Sequence, residues 1–156
     1  MTGVLSLLGR GSFGCVVRAY DPLRQQEVAV KIVKSRRGFL ARAKAEAELV
    51  AFVNAADPED KMHCVRLLDQ FTIQGTEHRC LVFEKLSGTL YGVLRNTGFL
   101  GVSLHLTRLF ARQLLEALAF LARPEIDVVH ADIKPENILL VHTSGASAAL
   151  KLIDFG

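Results

Sequence analysis

His130-Ala131-Asp132-Ile133-Lys134-Pro135-Glu136-Asn137, followed later by Asp154-Phe155-Gly156, is the stretch from which the fold of this chain is read. It places a carboxylate, a lysine and an amide in one short loop, with a second carboxylate after the next apolar segment. Phosphoryl transfer needs such parts. One carboxylate orients an attacking hydroxyl, a lysine offsets charge on the moving group, and an Asn with a second Asp holds Mg²⁺. Taken singly, Asp132 can cap a turn and Asn137 can close one. Their joint order and spacing point to chemistry.

Working outward, the N-terminal region carries Gly9-x-Gly11-x-x-Gly14-x-Val16. Glycines let a tight strand turn approach phosphates through backbone N–H groups with no Cβ in the way. Dinucleotide-binding folds use a similar motif, in which the third glycine opens a helix. Here Cys15-Val16-Val17-Arg18-Ala19-Tyr20 continues as a β-rich run. That favours a strand–turn–strand, and a bare structural hairpin stays open if the motif stands alone. Lys31 lies within Val28-Ala29-Val30-Lys31-Ile32-Val33. A lysine inside an apolar strand is costly to bury unless its charge is offset, and the alternative is an edge lysine that reaches water. Alternation puts Ala29, Lys31 and Val33 on one face.

The coarse elements follow from pattern. Val4–Leu8, Val16–Tyr20 and Glu27–Val33 read as strands, with Asp21-Pro22 as a turn. Gly38–Val53 reads as a helix with Phe39, Ala43, Ala47, Val50 and Val53 at helical spacing. Glu46 shares that stripe, whereas Glu48 points about 200° away, so Glu46 is the expected partner of Lys31. Asn54–Lys61 reads as a loop, Val65–Ile73 and Arg79–Glu84 as strands, and Thr89–Leu94 as a short helix. Ser103 is the expected N-cap of a long helix whose stripe is Leu106, Phe110, Leu114, Leu118 and Leu121. Ile138–Val141 and Leu150–Ile153 read as short strands flanking a His142–Ala148 turn.

The catalytic-looking loop and the Asp154-Phe155-Gly156 motif resemble those of protein kinases. Leu81-Val82-Phe83-Glu84-Lys85-Leu86-Ser87 resembles a kinase hinge. Leu90-Tyr91, Leu94-Arg95-Asn96-Thr97, Gly101-Val102-Ser103-Leu104 and Leu106-Thr107-Arg108 resemble the dual-specificity tyrosine-regulated kinases. So does Gly9-Arg10-Gly11-Ser12-Phe13-Gly14 running into Val17-Arg18-Ala19-Tyr20-Asp21. The resemblance spans essentially the whole chain. It implies an α+β, protein-kinase-like two-lobe fold. Residues 1–86 would form a five-stranded antiparallel small lobe with one helix, and 87–156 the start of a helical large lobe, left incomplete.

The resemblance also implies transfer of the γ-phosphoryl group of ATP, with Mg²⁺, to protein Ser or Thr, and Tyr autophosphorylation in full-length relatives. By it Asp132 is the base, Lys134 neutralises γ-phosphate charge, and Lys31, held by Glu46, grips the α- and β-phosphates. Asn137 and Asp154 are the metal ligands, and His130 and Phe155 pack the loop against the Asp-Phe-Gly motif. The turn formed by Gly9, Gly11, Ser12, Phe13 and Gly14 covers the phosphates. Leu8, Val16, Ala29 and Leu139 sandwich the adenine, Phe83 guards the back of the pocket, and backbone groups of Glu84 and Leu86 bind the adenine edge. Many kinases have Arg where this chain has Ala131, which argues against control through a phosphorylated activation loop. Two other readings are a small-molecule phosphotransferase of kinase-like fold and a nucleotide-binding regulatory module.

Composition limits the partners. A net charge of +3 makes no case for nucleic acid, and the basic residues Lys34, Arg36, Arg37 and Arg42 read as a solvated face. The hydrophobic fraction of 50% needs a cause, and a membrane span is not one, because Arg108, Arg112 and Glu116 interrupt the longest helix. Kinase interior whose cover lies beyond Gly156 is the expected cause, and with it self-association of the isolated chain. The apolar Val4–Leu8 run has no basic segment before it, so a secretory signal is not expected. Cys15, Cys64 and Cys80 form no Cys-x-x-Cys pair and suggest a reducing, intracellular setting in cytoplasm or nucleus. Cys15 is expected to face solvent, since its neighbour Val16 should face inward.

Overall fold

The computed structural model describes residues 3–141 and 148–155. Most of the expected His142–Ala148 turn, and Gly156, therefore lie outside the described residues. The chain divides into two compact units, Met1–Ala51 with Arg66–Lys85, and Phe52–Val65 with Leu86–Gly156.

The first unit is built on five strands, β1 (Gly3–Arg10), β2 (Gly14–Asp21), β3 (Gln26–Val33), β4 (Leu67–Thr72) and β5 (Arg79–Glu84). They form one antiparallel sheet in the order β1-β2-β3-β5-β4. They extend the expected strands by a residue or two or trim them, and β5 matches its expected bounds. Pairing of Val16 with Lys31 and of Lys31 with Leu81 fixes the register of the central strands. That register sorts side chains by parity. One face carries Val17, Ala19, Val28, Val30, Cys80 and Val82 as a buried cluster. The opposite face carries Val33 and Leu81, which pack with Ala43 and Ala47 of α1 (Arg37–Ala56). Lys31 alternates with the first set and so shares the face of α1. Cys15 departs from expectation. It is half-buried against the Val17–Val82 cluster, because the sheet face opposite α1 is itself covered with apolar side chains.

The second unit holds α2 (Leu90–Asn96), α3 (Leu104–Leu121), a 3₁₀ turn at Pro135–Asn137, and the hairpin of β6 (Ile138–Leu140) with β7 (Leu150–Leu152). Thr89 caps α2 by accepting from the Gly92 N–H at 3.0 Å, and Ser103 caps α3 as expected by accepting from Leu106. The α3 stripe is rotated from the expected one. Phe110, Gln113, Ala117, Phe120 and Leu121 are buried, while Leu106, Leu114 and Leu118 are half-buried. This amounts to a turn of about 50° around the helix axis. The cause is Gln113, which accepts from the Leu150 N–H at 2.9 Å and donates to the Ala148 carbonyl at 3.0 Å. A polar residue serves the backbone at the entry of β7, so the buried centre of α3 is not its most apolar line.

The segment after α1 runs beside β7 in the same unit. Val65 donates its N–H to Leu152, Leu152 donates to His63, and Cys64 bridges Leu152 in parallel sense. Lys151, almost fully buried, is held by both carboxylate oxygens of Asp60 at 2.7 and 2.8 Å. These contacts fix β7, and hence the chain position just before Asp154.

The glycine turn shows why its third glycine differs from the others. A Cβ on Gly14 would stand 2.0 Å from the Ile32 carbonyl oxygen, whereas one on Gly9 or Gly11 would meet nothing within 4 Å. Gly14→Ala is expected to lower stability by about 1–3 kcal/mol through overpacking. Gly11→Ala should leave the unliganded melting temperature nearly unchanged. Thermal unfolding of the two variants checks this, and equal melting temperatures would contradict it.

Candidate active site

Lys31 enters the first unit from an apolar strand and meets a carboxylate there. Its Nζ lies 2.7 and 2.9 Å from the two oxygens of Glu46, with side chains only 20% and 10% exposed. The face of α1 that packs Ala43 and Ala47 on the sheet delivers Glu46 to the same place. Glu48 is 66% exposed and faces Lys44 instead. Helical periodicity therefore picked the carboxylate that Lys31 meets.

The glycine turn is closed by the Gly11 N–H donating to the Gly14 carbonyl at 2.9 Å. Open space above Gly9 and Gly11, with no positive φ at either, means the fold itself does not require glycine there. A ligand approaching the backbone would, and triphosphate oxygens fit such a cradle. Val16 and Ala29 are half-buried on the α1 face of the sheet, and Leu8 is 50% exposed on β1. Phe83 packs beside Val33 and Leu81. The Glu84 N–H donates to the Arg66 carbonyl at 3.0 Å, while the Glu84 carboxylate accepts from the Arg66 N–H at 2.8 Å.

The second unit gathers the loop residues into one cluster. Asp132 Oδ2 accepts from Lys134 Nζ at 2.7 Å and from Asn137 Nδ2 at 2.8 Å. Asn137 Nδ2 also donates to the Asp132 carbonyl at 3.0 Å, so Oδ1 is left as its side-chain acceptor. The hydrogen bond from Lys134 holds the Asp132 carboxyl below the usual carboxylate range, helped by its charge and by Asn137. The same hydrogen bond pushes the Lys134 ammonium up. Leu139 is half-buried on β6, Leu86 is buried, and neither belongs to the first unit.

His130 ties this loop to the second carboxylate. It is buried, donates from Nε2 to the Ile153 carbonyl at 3.0 Å, and accepts at Nδ1 from the Asp132 N–H at 3.3 Å. Its ring packs against Phe155 with centroids 4.8 Å apart. Asn137 adds a second tie, its carbonyl accepting from the Ile153 N–H at 3.0 Å. The expected packing role of His130 and Phe155 is therefore what the structure contains. Two residues in this region, Ala131 and Asp154, have φ of 63° and 67°. Left-handed backbone at non-glycine residues costs energy and is kept where the surroundings over-determine it.

Asn137 Oδ1 and the half-buried Asp154 carboxylate are hard oxygen donors, and the backbone bond from Ile153 to Asn137 brings their segments together. Among the described residues no group of three or more His, Cys, Asp or Glu could hold a metal. Mg²⁺ suits this donor set, because it binds through one or two carboxylates and takes its remaining ligands from phosphates and water. Gln113, which bonds the backbone at the entry of β7, and Lys151, which ties β7 to Asp60, belong to none of the motifs. Only a buried polar position inside an apolar helix or strand would have signalled them.

The protein kinase domain family matches residues 3–156 of this chain. Serine/threonine-protein kinase ppk15 of Schizosaccharomyces pombe is 44% identical over 154 residues. Dual specificity protein kinase YAK1 of Saccharomyces cerevisiae is 42% identical over 154 residues. A putative dual specificity tyrosine-phosphorylation-regulated kinase 3 homolog of Drosophila melanogaster is 38% identical over 153 residues. Each alignment covers 98% of this chain but only 28%, 18% and 18% of the three relatives.

The loop cluster generates a titration test. Asp132 is held ionised by Lys134, so its charge is lost only as pH falls below the ordinary carboxylate value of 3.8. Replacing Lys134 by Gln removes the main cause and should move the Asp132 titration to higher pH. Carboxyl-carbon NMR of the two proteins reads this directly, and an unmoved or downward-shifted titration would contradict the assignment.

Proposed function

Because the chain belongs to the protein kinase domain family, we propose that it carries the nucleotide- and metal-side machinery of an ATP-dependent protein kinase acting on Ser or Thr. Tyr autophosphorylation by the native protein is part of the proposal. It rests on the dual-specificity names of two relatives. The observation that carries the reading is Asp132, a single carboxylate oxygen held by a lysine and an amide from its own loop.

Asp132 accepts a hydrogen bond from the substrate hydroxyl and aims its oxygen at the γ-phosphorus. Held below the usual carboxylate range, it is a weak base and takes the proton late, as the new P–O bond forms and the bond to ADP breaks. Lys134, 2.7 Å from Asp132, keeps positive charge beside the phosphoryl group in flight. Lys31, aimed by Glu46, draws the α- and β-phosphates, and the Gly9–Gly14 turn offers them backbone N–H groups. In the first unit Leu8, Val16, Ala29 and Phe83 would give an adenine ring apolar contact and Glu84 a partner for its edge, and in the second unit Leu139 and Leu86 would have the same respective roles. Asn137 and Asp154 would hold Mg²⁺, which when bound neutralises charge on the phosphates.

The proposed setting is intracellular, where ATP is available and Cys15, Cys64 and Cys80 stay as the thiols they are here. Among the described residues no helix is long and apolar enough to cross a membrane.

The test is transfer of labelled γ-phosphate from ATP to Ser/Thr peptides by the native protein. Asp132→Asn should lower kcat by about 10²–10⁴-fold while leaving MgATP affinity within about twofold, since the residue acts on the hydroxyl. Lys31→Met should weaken MgATP binding as well as turnover. An Asp132→Asn protein with near-normal kcat would overturn the reading.

A further inference from the structure

The tip of the glycine turn does not stand alone in the first unit. Phe13 is 42% exposed, yet its ring meets Phe39 of α1 edge-on, with centroids 5.2 Å apart and planes at 77°. The Arg42 guanidinium lies 5.7 Å from the centre of the Phe13 ring, and that of Arg36 lies 6.0 Å from Phe39. The backbone around the ring is tied to the end of β3 as well. Lys34 donates its N–H to the Phe13 carbonyl at 2.9 Å and its Nζ to the Ser12 carbonyl at 3.0 Å.

Two features make this more than surface packing. Phe39 and Glu46 are seven residues apart on α1, two turns along the same face, with Ala43 buried between them. The helix that aims Glu46 at Lys31 therefore also holds the turn tip. The basic residues here are also badly placed for helix stability. α1 has no acidic residue in its first turn and carries Arg36 and Arg37 at its N-terminus, where the helix dipole disfavours cations, with Arg42 one turn further on. The ring of Phe39 gives Arg36 a partner that the helix end does not, and the ring of Phe13 gives Arg42 one.

We propose that Phe39 and Arg42 are positioning residues for the phosphate-binding turn. They clamp Phe13 to the helix face that carries Glu46, so that the turn and Lys31 grip the nucleotide phosphates as one body. The inference rests on the nucleotide-binding reading above and adds how the two phosphate-binding elements are kept in step. Its signature is selective. Loss of the clamp should weaken ligands that bear phosphates and spare adenosine, whereas a general loss of fold would weaken both.

The experiment titrates MgATP and adenosine into the wild-type chain and into Phe39→Leu, Phe39→Tyr and Arg42→Gln, with melting temperatures measured alongside. Phe39→Leu keeps apolar contact with Val33 and Leu81 but removes the ring edge. It should weaken MgATP by about 2- to 12-fold, the range expected for an aromatic pair, and leave adenosine within about twofold. Phe39→Tyr should restore MgATP affinity. Arg42 is exposed, so Arg42→Gln should keep the fold and weaken MgATP by about two- to fivefold. Unchanged MgATP affinity in Phe39→Leu, or equal losses for MgATP and adenosine, would overturn the clamp and leave the nucleotide reading standing. A wild-type chain that binds MgATP no better than adenosine would overturn that reading, and the clamp with it.

Discussion

A charged ammonium in the middle of an apolar sheet is the constraint on which the first unit depends. Lys31 is flanked in sequence by Val30 and Ile32 and paired across strands with Val16 and Leu81. Burying that charge without compensation would cost several kcal/mol. The sheet therefore needs a carboxylate on the face Lys31 shares, and α1 is the element that brings one. Packing of Val33 and Leu81 against Ala43 and Ala47 sets the helix rotation that places Glu46 2.7 Å from Lys31. The small side chains at 43 and 47 let the helix sit close enough. Hydrophobic burial thus supplies the force, and the ion pair supplies the orientation.

The second unit solves a different problem, that of holding short irregular segments still. The loop around Asp132 has no strand or long helix of its own. It is fixed by the buried His130 imidazole, which donates to the Ile153 carbonyl, by the Ile153 N–H, which donates to the Asn137 carbonyl, and by the Asn137 side-chain amide, which donates to Asp132. Each bond adds about 1 kcal/mol, and together they help hold left-handed backbone at Ala131 and Asp154. Gln113 from α3 and Asp60 from the loop after α1 hold β7 from outside. The motif residues are thus the visible end of a hydrogen-bonded frame that extends well beyond the motif.

Much of this was legible in the chain because its strongest signals are local. Strand alternation gave the faces of β3, helical periodicity chose Glu46 over Glu48, and Ser103 marked the start of α3. What was not legible depended on partners distant in sequence. The α3 stripe was misplaced because Gln113 answers a backbone need at Leu150, 37 residues away. Alternation with Val16 predicts a solvent-facing Cys15, and local alternation does not reveal that both faces of the sheet are apolar. The run of 57–65 beside β7 carries no strand signature, being held by the pair of buried Lys151 with exposed Asp60 and by scattered backbone bonds. Of the three turn glycines, the sequence treats all alike, and only the 2.0 Å approach to Ile32 separates Gly14 from the others.

The central claim is that the charge at Lys31 is kept inside the sheet in order to bind phosphate, and that Glu46 serves it. Calorimetric titration of MgATP into the wild-type chain, Lys31→Met, Glu46→Gln and the double variant tests this most directly. The account predicts that each single change weakens MgATP binding by more than about tenfold, or roughly 1.4 kcal/mol. It also predicts that the double variant loses no more than Lys31→Met alone, since Glu46 acts only through Lys31. Wild-type affinity in Glu46→Gln, or losses that simply add, would contradict it.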